Sequence, residues 1–93
     1  MYTKKQWITI LDFISNNIIN YYVNVYISKW EITNSSKLII TIEQIFNNIT
    51  SIIPDINMII EELEENILPY NITIDKVKTI NEHKSNIIFK VII

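Results

Sequence analysis

The chain contains no glycine among its 93 residues. Glycine adopts positive φ angles without strain, so any turn that needs such a conformation must use another residue, chiefly asparagine. Asn34, Asn71 and Asn81 lie in or beside predicted turns and are the candidates. The same absence excludes the glycine-rich loops that cradle phosphates in P-loop and dinucleotide-binding enzymes. Nucleotide enzymes of those two classes are therefore excluded.

Length and the absence of cysteine bound the kind of domain. Ninety-three residues suit one small core, and we expect residues 1–93 to form a single domain. Without cysteine there is neither a disulfide framework nor a thiolate metal site, which favours a reducing, intracellular setting. We identify no internal repeat and no linker. The longest run without charge, residues 13–28, contains four asparagines and is too short to span a membrane.

The amino-acid usage is that of an A+T-rich gene. Isoleucine (25) and asparagine (12) are abundant, whereas glycine, alanine, arginine and cysteine are absent. Such genes are common in phages, mobile elements, some viruses and some organelles. The excess of isoleucine and asparagine therefore needs no functional explanation, and we predict a cytoplasmic protein of a bacterial or host cell interior.

Helical spacing of apolar residues predicts three helices. Thr3 followed by Gln6 matches a capping box, which predicts a helix over residues 4 to about 20. A second helix is predicted between the turn at residues 33–36 and Pro54, although residues 37–42 alone would also suit a strand. Proline is favourable in a first helical turn, so a third helix is predicted over residues 54 to about 67.

Three segments rich in β-branched and aromatic residues predict strands, over residues 22–32, 72–80 and 87–93. The last segment carries apolar residues on both faces, which is typical of a central strand. We therefore predict an α+β fold in which three helices pack on a small, mostly antiparallel three-stranded sheet. An all-α bundle is the alternative, because residues 21–32 and 72–80 could also be helical.

The predicted core consists of apolar residues on the inner faces of these elements. It comprises Trp7, Leu11, Ile14, Ile18, Ile42, Ile45, Phe46, Ile49, Ile59, Ile60, Leu63 and Phe89.

Few residues suit catalysis. His83 is the only histidine, and it lies in a polar, turn-like stretch with no patterned serine or carboxylate partner. With one histidine and no cysteine, Cys/His and multi-histidine metal sites are excluded. A hydrolase would need distant carboxylates to converge, namely Asp12, Glu43, Asp55 and Asp75. We predict a protein that is not an enzyme and has no catalytic residues, no metal site and no cofactor.

Charge argues against nucleic acid as a partner. The net charge is −2, and arginine, the residue best suited to phosphate and guanine contacts, is absent. The order of the charges is more informative. Residues 1–37 sum to +2, residues 38–75 to −7 and residues 76–93 to +3. The acid is concentrated at Glu61, Glu62, Glu64 and Glu65.

These four glutamates lie toward the C-terminus of the third predicted helix, where carboxylates oppose the helix dipole and repel one another at i,i+3 and i,i+4 spacing. They suit either a solvated polar face or a surface for a basic partner. A basic partner would gain association rate and specificity from them. We predict a small acidic protein-binding inhibitor, of the immunity-protein, antitoxin or phage anti-defence type, that occludes a basic site on a partner protein. The alternative is a non-catalytic structural subunit of a viral or organellar assembly, and homo-oligomerisation is left open.

Overall fold

The computed structural model describes residues 2–45, 56–82 and 86–93. Within them, two helices and four strands alternate as helix, strand, strand, twice over. The sheet order is β1-β2-β4-β3, and every neighbouring pair is antiparallel. The elements are α1 (Lys4–Asn17), β1 (Val25–Ile32), β2 (Leu38–Ile45), α2 (Ile56–Ile67), β3 (Lys76–Glu82) and β4 (Asn86–Ile92).

The start of α1 is the one the sequence predicts. The Thr3 hydroxyl accepts a hydrogen bond from the Gln6 backbone N–H at 3.2 Å, and the Gln6 side chain accepts one from the Thr3 N–H at 2.8 Å. This reciprocal pair satisfies two backbone donors that a helix start leaves without partners. The helix ends earlier than predicted, at Asn17, and a single 3₁₀ turn follows over Ile19–Tyr21.

The predicted second helix is wrong over its first half, because residues Leu38–Ile45 form strand β2. In this isoleucine-rich stretch the apolar residues satisfy a period of two as well as a helical period. β2 lies between β1 and β4, so both of its backbone edges pair with strands. That pairing and the β-branched side chains favour the strand. The remainder of the predicted helix, residues 46–53, lies outside the described residues.

The predicted three helices on a three-stranded sheet are therefore corrected to two helices and a four-stranded antiparallel sheet within the described residues. The α+β class stands, and the all-α alternative is wrong. The predicted strands shift to Val25–Ile32, Lys76–Glu82 and Asn86–Ile92. The last of these is central, as its two-sided apolar pattern predicts.

Both helices pack on one face of the sheet and form the core with it. Alternate residues of β2 and β4, such as Ile42 and Phe89, are buried beneath them. Eight predicted core residues are confirmed as buried: Trp7, Leu11, Ile14, Ile18, Ile42, Ile59, Leu63 and Phe89. The prediction for Ile45 is wrong, because this residue lies exposed at the end of β2 and points away from the helices. Ile60 is half-buried. Phe46 and Ile49 lie outside the described residues.

Among the residues that the structure describes, three take positive φ angles: Asn24, Ser36 and Asn71. Asn71 confirms the expectation for asparagine, whereas Asn34 and Asn81 do not adopt this conformation. Ser36 is used instead in the β1–β2 turn, where its N–H donates to the Thr33 carbonyl at 3.0 Å. Its own carbonyl accepts from the Trp7 indole Nε1 at 2.9 Å, which ties this turn to α1.

The described part of the chain consists of two structurally similar halves, and the sequence analysis did not identify this repeat. Each half is a helix, a 3₁₀ turn and a hairpin, and the helical parts align at a constant offset of 49 residues, from position 10 to position 59. Asn17 and Asn66 each donate to the carbonyl four residues earlier, at 3.0 and 2.7 Å. The matching positions are Ile10 with Ile59, Ile14 with Leu63, Ile18 with Ile67, and Tyr21 with Tyr70.

The two halves are related by an approximate two-fold axis at the centre of the sheet. Both edge strands carry a bulge at the matching place, after Ile27 in β1 and after Thr79 in β3. Ile27 pairs with Ile42, Thr79 pairs with Phe89, and Ile42 pairs with Phe89. The axis therefore passes between Ile42 and Phe89. The bulges disrupt both exposed edges, which discourages edge-to-edge strand pairing.

The two helices were also compared with the length and apolar character that a membrane-spanning helix needs. In the part of the chain that the structure describes, neither helix is both long and apolar enough to cross a membrane.

Candidate protein-binding surface

The acidic residues occupy the second half of α2. The inner face of this helix carries Leu63 and Ile67, which are completely buried, so the residues between them point outward. Three of the four predicted partner-binding residues, Glu61, Glu64 and Glu65, are exposed, while Glu62 is half-buried at the edge of the core. The structure therefore brings the predicted residues together on one helix and places most of their carboxylates on the surface.

No cation of the described residues neutralises these carboxylates. The salt bridge found within the described residues joins Lys37 to Asp75, and none involves the four glutamates. They also lie near the C-terminus of α2, where the helix dipole disfavours negative charge. Within the described residues folding thus gains no ion pair from the arrangement, and the two carboxylates in the last turn, Glu64 and Glu65, each cost some tenths of a kcal/mol.

Two of the glutamates border an apolar groove of about 410 Å³. The chain reverses after α2 through a 3₁₀ turn, Leu68–Tyr70, and through the positive φ of Asn71. That reversal lays the segment leading into β3 beside the end of the helix, with the Ile72 N–H donating to the Ile67 carbonyl at 3.3 Å. The groove is lined by Glu64, Glu65, Leu68, Ile72, Thr73 and Ile74.

Sequence reasoning found the acidic rim and missed the apolar floor. Leu68 is 62% exposed, and Ile74 is half-buried. An apolar residue directly after the helix, followed by Pro69, was the available signal, because a proline there forces the chain to turn. Which residues line the groove depends on the direction of the reversal, which the local sequence does not specify.

The candidate catalytic residues do not form a site within the described residues. Asp12 is exposed on α1, whereas Glu43 lies on the sheet face that points away from both helices. Asp75 precedes β3 and pairs with Lys37. His83 and Asp55 lie outside the described residues. No group of three or more His, Cys, Asp or Glu side chains in residues 2–45, 56–82 and 86–93 is arranged to hold a metal ion.

The side chain of Asp75, which follows the groove residue Ile74, has a shifted pKa. Lys37 Nζ lies 2.5 Å from Asp75 Oδ2. The hydrogen bond and the positive charge of Lys37 hold the pKa of this carboxyl below its usual value. Because the folded-state pKa is lowered, the interaction stabilises the fold above the usual aspartate pKa, and this stabilisation is lost as the pH falls through the lowered pKa.

Replacing Lys37 with glutamine should therefore raise the pKa of Asp75 toward the usual value of an aspartate. The difference in stability between parent and variant should be present at neutral pH and should vanish at a second pH that lies below the lowered pKa of Asp75 in the parent. The side-chain carboxyl ¹³C shift of Asp75, followed against pH, measures the first effect, and urea unfolding at both pH values measures the second. Lys29→Gln is the matched control, since the exposed Lys29 makes no salt bridge within the described residues. An unchanged Asp75 titration in the Lys37 variant would contradict the assignment.

Comparison of the chain with protein-family models, with curated proteins and with solved structures finds no match.

Proposed function

We propose that this protein is a small acidic inhibitor that binds another protein through the end of α2 and occludes a basic site on it. The observation that carries the proposal is that exposed glutamates, which no cation of the described residues neutralises, lie beside an apolar groove at one place on the surface. A solvated polar face explains the charge, but it does not explain an open apolar floor beside it. The biological setting we propose is that of an immunity protein, antitoxin or phage anti-defence factor, acting inside a bacterial or host cell.

The groove suits a lysine or arginine side chain of the partner. The aliphatic stem of such a residue packs on apolar surface while its charged end stays in a polar environment. Leu68 and Ile74 would contact the stem, and Glu64 would accept hydrogen bonds from the charged end. Glu61 stands one turn away and would add long-range attraction, which raises the association rate more than the lifetime of the complex. The proposal requires no catalytic residue, cofactor or metal in this chain, and the acidic surface would repel nucleic acid.

The same surface supports a mechanism by occlusion. A nuclease, toxin or defence enzyme that acts on nucleic acid exposes a basic site for phosphate. An acidic protein seated there blocks substrate access without reacting with it. Electrostatic steering would make this fast, which matters for an inhibitor that must bind before damage occurs.

Changing Glu61, Glu62, Glu64 and Glu65 together to glutamine should slow association with the partner by about tenfold or more at low salt. The reduced rate should lose most of its dependence on ionic strength, because the charges that steer encounter are gone. Stability should hold or rise slightly, since glutamine and glutamate have similar helix propensities. Affinity capture from lysates of candidate host cells, followed by kinetic binding measurements at two salt concentrations, tests this.

A smaller pair of variants controls for net charge. Glu64→Gln with Glu65→Gln and Asp12→Asn with Glu31→Gln each remove two negative charges, but only the first pair borders the groove. The first pair should slow association and the second should have little effect. Equal effects of the two pairs would show that net charge, and not the position of the glutamates beside the groove, controls association. A quadruple variant that binds and protects like the parent would refute the proposed site.

The second candidate function is a non-catalytic subunit of a viral or organellar assembly. The face of the sheet that points away from both helices favours it, because this face carries isoleucine side chains that are not packed against the core, among them Ile39, Ile88 and Ile92. A subunit of an assembly would bury such a face against a neighbour. Light scattering on the purified protein at about 0.5 M salt, where contacts between charges are screened, separates the two functions, since an inhibitor should then be monomeric, whereas a subunit that associates through its apolar face should stay assembled.

A further inference from the structure

Three lysines cross the outer face of the sheet in one row. The register places Lys78 of β3 opposite Lys90 of β4, Lys90 opposite Thr41 of β2, and Thr41 opposite Lys29 of β1. Thr41 and Lys90 alternate with residues that the helices bury, so this row points away from α1 and α2. The row spans all four strands, or about 14 Å at the usual strand spacing.

No described side chain neutralises the lysine row by a salt bridge. None of the three lysines takes part in a salt bridge with the described residues. Lys78 and Lys90 are like charges directly opposite each other, an arrangement that destabilises a sheet. Folding therefore gives no reason for the row, and an acidic ligand on this face would.

The rest of the outer face is apolar with a few further charges. Ile39 and Ile92 pair directly beside the lysine row. Lys76 adds a fourth positive charge on the face, against Glu31 and Glu43. Glu43 is already engaged: the Asn86 amide donates to its Oε1 at 3.0 Å, and its hydrogen bond with Tyr26 raises the pKa of that phenol. The described side chains of this face therefore combine isoleucine with an excess of positive charge.

The outer surface of α2 is complementary to this face in charge and also offers apolar side chains. Met58 and Leu68 are 57% and 62% exposed, and they bracket the exposed Glu61, Glu64 and Glu65. From Met58 to Leu68 the chain advances about 15 Å at the helical rise, which is close to the width of the lysine row. Acidic helix and basic sheet lie on opposite sides of the same molecule, because both helices cover the other face of the sheet.

We propose that the outer face of the sheet binds a second copy of this chain, with the α2 surface of one copy lying on the lysine row of the next. The glutamates face the lysines, and Met58 and Leu68 pack against the isoleucines. Since the two surfaces differ and lie on opposite sides, a pair of copies keeps one free surface of each kind, and the contact repeats head to tail instead of closing as a dimer. The bulged edge strands make strand-to-strand pairing the weaker route.

Sedimentation velocity tests the proposal on the intact protein. At about 20 mM salt the weight-average sedimentation coefficient should rise continuously with concentration, and at about 0.5 M salt it should fall toward the monomer value. A monomer under all conditions would overturn the proposal. A salt-insensitive dimer would also overturn it, in favour of apolar contact between two sheet faces.

Two variants of equal charge identify the surface. Lys29→Gln with Lys78→Gln alters exposed edge-strand residues of the row, and Lys4→Gln with Lys5→Gln alters exposed residues of α1. The variant in the row should weaken self-association by about tenfold, because it loses two or three surface ion pairs. The variant in α1 should leave self-association unchanged. Equal effects of the two variants would overturn the assignment of the sheet face.

A charge exchange then tests the pairing of helix with sheet. Lys78→Glu and Glu65→Lys should each weaken association alone, and combining the two in one chain should restore it. Lys78→Glu combined with Asp12→Lys gives a chain of the same net charge, and its association should stay weak. Equal rescue by both would overturn the helix-to-sheet contact. The lysine variant also separates this proposal from the inhibitor proposal, since it should lose self-association and still capture the basic partner.

Discussion

Replacing Phe89 with alanine should lower the free energy of unfolding by about 3–5 kcal/mol. Phe89 is completely buried at the centre of β4, on the approximate two-fold axis and opposite Ile42. Both halves of the molecule meet there, so neither hairpin can move to fill the cavity without disturbing the other. A domain of this size has a total stability of roughly 5–14 kcal/mol, so the loss would be a large fraction of it.

Urea unfolding followed by circular dichroism measures this loss. Phe13→Ala is the matched control, because Phe13 is half-buried on α1 and makes an edge contact with Tyr70 at a centroid distance of 6.4 Å. It should lose clearly less stability than the Phe89 variant. Equal losses would show that the centre of the sheet is not the most tightly packed part of the core.

Replacing Leu63 with alanine should cost about 2–5 kcal/mol. Leu63 is completely buried on the inner face of α2, between Ile59 and Ile67, which are buried as well. Truncation removes apolar contacts and leaves a cavity under the helix that carries the proposed binding surface. We therefore expect reduced partner binding at temperatures where α2 begins to unfold.

Leu68→Ala is the matched control for this change, since it removes the same atoms five residues later from a side chain that is 62% exposed. Its effect on stability should stay within about 0.5 kcal/mol. Thermal unfolding of both variants is the measurement. A Leu63 variant as stable as the Leu68 variant would show that α2 does not pack on the sheet through this face.

The position of the candidate site at the glutamates was only partly predictable from the sequence. Because a helix repeats every 3.6 residues, burying Leu63 and Ile67 leaves Glu61, Glu64 and Glu65 outward whatever the fold. The apolar groove beside them could not be read in the same way. It exists because Asn71 takes a positive φ angle and turns Ile72 and Ile74 back along the helix. The lysine row was equally hidden, because its members come from three strands whose register only pairing defines.

Local signals in the sequence determined the elements whose partners lie nearby in the chain. The capping box at Thr3 and Gln6 specifies the start of α1, and the helical spacing of Ile59, Leu63 and Ile67 specifies the inner face of α2. Both rest on hydrogen bonds and side-chain contacts within one or two turns.

Tertiary structure decided the fate of residues 38–45. Isoleucine at so many positions satisfies a period of two and a helical period together, so the pattern alone does not choose between strand and helix. The choice depends on β1, which precedes β2 in the same hairpin, and on β4, which is distant in the chain; together they pair with both backbone edges of β2. The hydrogen bonds with β4 form only once the two repeats have come together, and they create the four-stranded sheet, the two-fold arrangement and the lysine row.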